Sequence, residues 1–271
     1  MRSNQWLLGL IASLLMSHVW AGRACQDAPP NAEAFRQAMA AGYASMQQLD
    51  EIKPKVALIA RVGQDLSAYN LRFSHLGFVW RDPGAQGQWR VMHLLNQCGT
   101  VQSDLWREGL ANFFMDDPFA YDSLIIVPSI AVQDKLQSWL SEQSKMEQLH
   151  GNKYNMLAYP FSTRYQNSNQ WVLEGLASAM SRDLDIRSRA QAQQWLKLMN
   201  YQPSELKINT FKRLGGRVFR ANIAFDDHPT DRRMAGKIDT VTVDSIVNFV
   251  QQALPESRSY LVVAKKLPEL R

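Results

Sequence analysis

The chain of 271 residues has only two cysteines, Cys25 and Cys98. Two cysteines cannot build a disulfide-rich scaffold or a four-cysteine metal site. Beyond the N-terminus no apolar run reaches membrane length. No segment repeats at a fixed period, which excludes solenoids and propellers. With Gly 14 and Pro 11, the chain is neither collagen-like nor low-complexity. Neither sign of charge dominates: 30 Lys and Arg face 25 Asp and Glu, a net charge of +5. The basic residues are scattered and form no nucleic-acid motif. A hydrophobic share of 46% with only 20% charged residues excludes a disordered chain. The length fits one large domain or two small ones.

What the sequence does have begins with an address. Arg2 precedes an uncharged, mostly apolar stretch from Trp6 to Trp20, and Val19-Trp20-Ala21 resembles a cleavage site. This is the pattern of a secretory signal peptide over residues 1–21. The stretch is about 15 residues, short of the roughly 20 that span a bilayer as an anchor. Cutting after Ala24 is the alternative site, and Gly22-Arg23-Ala24 lacks the apolar residue that precedes a lipid-modified cysteine. The expectation is a periplasmic or secreted bacterial protein with no stable membrane span after cleavage. Loss of residues 1–21 leaves 29 basic against 25 acidic side chains, a net charge of +4. In an oxidising compartment a single cysteine pair favours one disulfide, Cys25 to Cys98, over thiol chemistry.

The spacing predicts a mixed α+β domain. After a linker at Pro29–Ala32, a helix is expected over Glu33–Leu49 with Phe35, Met39, Tyr43 and Met46 on one side. Strands are expected at Val56–Val62, Arg72–Arg81 and Gln88–Leu95, the last two joined by the turn-rich 82–87 loop. Ser103–Met115 has helical spacing, with Ser103 as N-cap and Trp106, Leu110 and Phe113 inward. A strand at Ser123–Val127, one long helix at Ile130–Leu149 and an irregular aromatic stretch at Tyr154–Arg164 follow. Helices are then expected at Ser168–Met180 and Ala190–Met199. A hairpin or bulged strand over Lys212–Phe225 containing Gly215-Gly216, a helix from Thr242 as cap to about Leu254, and a strand at Ser259–Ala264 complete the chain.

Five histidines are present, of which His18 leaves with the leader. In SHLGFVW, alternation puts His75, Gly77 and Val79 on one face; in WRVMHLL it puts Val91, His93 and Leu95 together. A hairpin centred on the 82–88 loop sets His93 opposite Gly77 and diagonal to His75, with about 7–8 Å between the backbones. Two imidazoles so placed suit a base and its orienting partner, or two buried, hydrogen-bonded histidines. No third metal ligand accompanies them at diagnostic spacing. Farther on, Tyr165-Gln166-Asn167-Ser168-Asn169-Gln170-Trp171 opens a helix. A serine there is an ordinary cap, or a nucleophile beside free backbone N–H groups that favour developing negative charge. Trp171 is expected in the core and Glu174 on the surface. Asp116-Asp117 and Asp226-Asp227-His228 are expected to be solvated turns. Tyr154, Tyr159 and Tyr165 are packing residues or cleft donors.

Taken together, SHLGFV, then WRVMHL, then a distant NSNQWV resembles the circularly permuted NlpC/P60 superfamily, whose members include the lecithin:retinol acyltransferase-like proteins. The resemblance covers about residues 56–175 and implies a papain-like antiparallel sheet packed against helices. It implies His75 as base, His93 as its orienting partner, and the nucleophile at position 168, where this chain has Ser and the family has Cys. A serine hydroxyl is not held as an anion at neutral pH, so Ser168 needs full general-base help from His75. Asn167, Tyr165 and Gln170 are the candidate substrate-binding or oxyanion residues. The chain also resembles an uncharacterised family of exported bacterial proteins that share SHLGF and NSNQWV.

The implied organisation is a signal peptide at 1–21, a linker and helix at 22–55, the papain-like core at 56–185, and helices and strands at 186–271 that complete the same domain or cover its cleft. The implied function is an envelope hydrolase or acyltransferase acting on an amide or ester bond of cell-wall peptide or lipid, with no cofactor, metal or nucleic acid. The rival is a catalytically inactive binding or scaffold module on the same fold. An envelope assembly factor is a third reading, supported only by the expected export.

Overall fold

A computed structural model describes residues 31–116, 118–208 and 222–263. The expected leader, Cys25, Asp117 and most of the expected hairpin or bulged strand around Gly215-Gly216 lie outside them, and the described end of that segment, residues 222–225, is not a strand. The described residues form an α+β structure around a six-stranded antiparallel sheet.

The first helix, α1, spans Ala32–Ile52 and starts at Asn31, whose side chain accepts from the Ala34 N–H. Its inward face is Ala38, Ala41, Gly42, Ser45 and Leu49. Phe35, Met39 and Tyr43, expected to lie together, do so on the outside, 48%, 45% and 58% exposed. Close approach decides this orientation: a Cβ on Gly42 would stand 2.8 Å from the Ala111 backbone. Only a ridge of small residues fits there, so the large side chains rotate outward.

Strand β1, Val56–Val62, is buried along its whole length. Val56, Leu58, Ala60 and Val62 join one core cluster, while Ala57 and Ile59 join another on the opposite face. A strand covered on both faces reads as an unbroken apolar run, as this one does. It lies between β2, His75–Asp82, and β5, Ala120–Val127. Strand β3, Gln88–Asn96, pairs with β2 in the register Phe78↔Met92 and Val79↔Val91. That register continues to Gly77 opposite His93, as the alternation requires. Asp82 Oδ1 accepts from the Gly84 N–H, and Gln86 and Gly87 take positive φ of 56° and 73° to turn the hairpin.

The segment expected as a helix from Ser103 is a strand. β4, Ser103–Gly109, pairs with β3 along its full length, and only Leu110–Phe113 forms a short helix, α2. Ser103 caps nothing; its hydroxyl meets His150 Nε2 at 3.2 Å. Leu110 and Phe113 are buried as expected, but Trp106 is 51% exposed. Pairing with the otherwise open edge of β3 satisfies the backbone and overrides the local helical spacing.

The expected long helix after β5 is two, α3 at Ile130–Leu140 and α4 at Gln143–Gln148. The Ser141 hydroxyl bonds back to the Gln137 carbonyl at 2.8 Å, and Glu142 is extended, which separates them. Helix α5, Ser168–Met180, begins at the expected residue. With α3 it covers the β2 face bearing Phe78, whose ring lies 5.6 Å from Trp171. Helix α6, Arg189–Leu198, packs on α5.

A small second sheet pairs β6, Ser204–Lys207, with β7, Lys237–Thr240, and α7, Thr230–Met234, lies beside it. Neither strand nor α7 was foreseen. Helix α8, Val243–Ala253, carries the expected Thr242 cap in a reciprocal capping box with Ser245. Strand β8, Arg258–Val262, pairs with β5 and ends the main sheet. Among the described residues, no helix is long and apolar enough to cross a membrane.

Candidate active site

The sheet brings its titratable groups together by diagonal steps. His75 is the first residue of β2, and His93 lies diagonally across on β3. Register His93↔Trp106 and Val91↔Glu108 places Glu108 one diagonal farther, on β4. Paired residues share a sheet face, so His75, His93 and Glu108 point the same way. A Cβ on Gly77 would stand 3.1 Å from the His93 Cβ and 2.8 Å from the Val91 side chain, so glycine leaves the imidazoles their room.

Helix α5 supplies the last member. Its N-terminus is fastened at the start of β2, where Asn169 Nδ2 donates to the Ser74 carbonyl at 3.1 Å. Ser168 Oγ then lies 3.1 Å from His75 Nδ1, and His75 Nε2 lies 2.8 Å from His93 Nδ1. His93 Nε2 lies 2.9 Å from Glu108 Oε1, without a well-aligned hydrogen bond. One set of tautomers satisfies the chain. Ser168 O–H donates to His75 Nδ1, His75 Nε2–H donates to His93 Nδ1, and His93 Nε2–H faces the carboxylate. The tautomers are assigned from these contacts.

The surroundings keep the imidazoles neutral. Burial, then the Arg61 guanidinium, then His93, hold His75 well below the ordinary histidine range. Burial also lowers His93, while Glu108 opposes it. Arg61 stands opposite His75 on β1. It donates to the Phe113 carbonyl, pairs with Asp116 at 2.7 Å and lies over the Phe113 ring. Phe113 in turn packs 5.9 Å from His75 and 5.3 Å from His93, ring centre to ring centre.

Burial raises the Tyr154 phenol above its ordinary range, and the neighbouring Ser168 hydroxyl opposes the rise. Tyr154 is held there by its bridge to Gln166, two residues before Ser168. Of the three tyrosines singled out in the sequence, this one reaches the serine.

The candidate oxyanion residues have other duties. Asn167 is the N-cap, its Oδ1 accepting from the Gln170 N–H at 2.7 Å and its Nδ2 donating to Thr240 Oγ1 at 3.1 Å. Gln170 Nε2 donates to the Pro160 carbonyl at 3.1 Å. The Tyr165 carbonyl accepts from Arg189 at 2.8 Å, and the Tyr165 ring lies under Arg164. Of the first-turn N–H groups of α5, Gln170's is taken by Asn167 Oδ1 and Trp171's by the Asn167 carbonyl, which leaves those of Ser168 and Asn169.

Several polar residues expected in solvent are buried. Glu174 is fully enclosed and accepts from Gln166 at 2.6 Å, Gln193 at 2.8 Å and Arg189 at 2.9 Å. Burial raises its pKa, and Arg189 opposes the rise. Arg189 also donates to the carbonyls of Thr163 at 3.0 Å and Tyr165 at 2.8 Å, which fixes the loop leading to Ser168. Asp227 and His228 are buried too, paired at 3.0 Å, while Asp226 binds Arg164. Asp116 pairs with Arg61 while its side chain stays 36% exposed. Among the described residues, no three His, Cys, Asp or Glu side chains are grouped to hold a metal. Cys98 lies in the exposed turn after β3; its expected partner, Cys25, is outside the described residues.

Glu108 and Arg61 were missed in the sequence. Helical spacing concealed Glu108; Arg61, the one charged residue in VALIARV, was a visible signal.

No curated protein and no solved structure matches the chain. One family does, described as "Uncharacterized protein conserved in bacteria (DUF2145)", over residues 48–250. The match spans His75, His93, Glu108, Tyr154, Ser168 and Arg189. With about three quarters of its length matched, the chain belongs to the DUF2145 family.

Proposed function

We propose that this protein is an exported envelope hydrolase or acyltransferase that attacks an amide or ester carbonyl with Ser168, on a papain-like scaffold of the permuted NlpC/P60 kind. The observation that carries the proposal is the 3.1 Å contact between Ser168 Oγ and His75 Nδ1, with His93 2.8 Å from the other ring nitrogen. Hydrogen-bond reach for a nucleophile and its base is about 2.6–3.2 Å. The order base, orienting residue, distant helix N-terminus is that of the family resemblance, and the leader pattern supports export.

In this reading Ser168 Oγ bonds to the carbonyl carbon as its proton passes to His75 Nδ1. The oxyanion meets the Ser168 and Asn169 N–H groups at the start of α5. When the adduct collapses, the bond to the amine or alcohol breaks and the leaving group takes the proton from Nδ1. Water, or an acceptor alcohol, then gives a proton to Nδ1 and attacks the acyl-serine; the Oγ–acyl bond breaks, Ser168 Oγ takes the proton back from Nδ1, and the acid or transferred acyl group is released. His93 holds the His75 tautomer throughout, and Glu108 holds His93.

A serine-directed phosphonate, with the modified peptide located by mass spectrometry, tests this reading. Labelling is expected at Ser168, absent in Ser168→Ala, reduced about 10²–10⁴-fold in His75→Ala, and kept or raised in turnover by Ser168→Cys. A second reading, an inactive binding module, is favoured by the enclosure of Ser168 and His75, only 6% and 8% exposed. His75-dependent labelling at Ser168 excludes it; failure to label at any pH overturns the nucleophile.

A further inference from the structure

A second concave site lies away from the histidines. It is an open depression of about 590 Å³ between the 159–163 loop, the outer face of α6 and the 227–230 turn. That volume falls within the range of small-ligand sites, roughly 300–1,000 Å³. We propose that it binds a neutral oligosaccharide.

The chemistry of its walls carries the argument. Tyr159 and Phe161 supply aromatic surface from the loop. Gln194 supplies an amide from α6, Gln193 beside it has both Nε2 hydrogens engaged within the protein, and Thr163 and Thr230 supply hydroxyls from two different segments. Among the described residues, no lysine or arginine lines it, which disfavours a phosphate or carboxylate ligand. Its one acid, Asp227, is already satisfied: Oδ1 meets His228 and Oδ2 accepts from the Tyr159 N–H at 2.7 Å. A cationic ligand therefore gains no unpaired carboxylate. Mixed amide and hydroxyl walls also disfavour a purely apolar ligand, whose burial would strand them. Hydroxyl-rich rings with apolar C–H faces match both halves of this lining.

The walls are set before any ligand arrives. Gln193 Nε2 is locked between Glu174 Oε1 at 2.8 Å and the Ser162 carbonyl at 3.1 Å, and His228 Nε2 is tied to the Asp239 carbonyl at 3.0 Å. Tyr159 and Phe161 rings brace each other edge to face at 5.9 Å. A wall set in advance lowers the ordering cost of binding. The Gln194 and Thr163 side chains, exposed at the rim, are the groups left to contact the ligand.

The test is an NMR titration of the ¹⁵N-labelled protein with triacetylchitotriose and, separately, cellotriose. At least one trisaccharide is expected to shift the Gln194 side-chain amide and the Thr163 and Thr230 backbone signals in the millimolar range or below. Gln194→Ala and Thr163→Ala, both at exposed positions where folding is not at stake, are each expected to weaken binding about three- to tenfold. No shift with either sugar overturns the proposal. So does binding that both variants leave unchanged, or displacement of the sugar by inorganic phosphate. The outcome is independent of whether Ser168 is a nucleophile.

Discussion

Replacing Arg189 with methionine isolates the charge network beneath Ser168. Arg189 is 8% and Glu174 0% exposed, so the pair is shielded from water that would otherwise screen it. The substitution keeps most of the volume but strands a carboxylate with only two neutral amide donors, Gln166 and Gln193. It also removes the donors to the Thr163 and Tyr165 carbonyls. Breaking a buried pair from one side costs about 3–5 kcal/mol. For a chain of this size each kcal/mol moves Tm by about 2–4 °C, so Tm should fall by roughly 6–20 °C. The assay is equilibrium urea unfolding at pH 7.5, with the midpoint and slope both recorded. Adding Glu174→Gln to Arg189→Met should restore stability, because the stranded charge is gone. The pH dependence has a definite sign. Burial already raises the Glu174 pKa above its ordinary 4.5, and loss of Arg189 raises it further. The folded state then holds the proton more tightly than the unfolded one, so stability falls as pH rises through that window. The Arg189→Met deficit should therefore shrink as pH is lowered toward 5. A loss under about 1 kcal/mol, or a double variant weaker than the single one, would refute the reasoning.

Acid should weaken the protein through its histidines. His75 and His93 both titrate below the ordinary 6.5 in the folded state, so the unfolded chain binds more protons there. Stability is fully present above about pH 6.5 and is lost as pH falls toward the folded values, by at most about 1.4 kcal/mol per pH unit for each histidine. His75→Asn should flatten that slope in denaturant titrations between pH 7 and 5; an unchanged slope contradicts the neutral, buried assignment. Gly77→Ala should cost about 1–3 kcal/mol, since its Cβ meets Val91 at 2.8 Å and the Met92 carbonyl at 3.0 Å. It should also slow phosphonate labelling of Ser168 by displacing His93, and a stable, fully reactive Gly77→Ala protein would show that the close approach is unimportant.

The hairpin and the α5 start were legible because short-range rules decide them. A turn at 82–87 with alternating apolar residues on both sides sets one register, and that register sets the diagonal between His75 and His93. Asn167 ahead of an apolar helix is a local cap signal, and it places Ser168 in the first turn. The failures lie where a residue's partner is distant in sequence. SDLWREG has no strand alternation of its own; it becomes a strand because β3 offers an unpaired edge, and only then does Glu108 reach His93. The same holds for Glu174. A lone acid in the apolar run WVLEGLASA looks like a surface position until Arg189, fifteen residues on, arrives to pair with it. Asp227 and His228 repeat the pattern with the Tyr159 amide and the Asp239 carbonyl. In each case burying the charge is unfavourable alone and tolerable only with the partner in place. The two networks converge on residues 165–168: Arg189 holds the Tyr165 carbonyl, Gln166 is bound to Glu174, and Ser168 meets His75. A local window contains the serine but not the buried ions that fix it. The misread acids are therefore the groups whose removal should disturb Ser168 most without touching it.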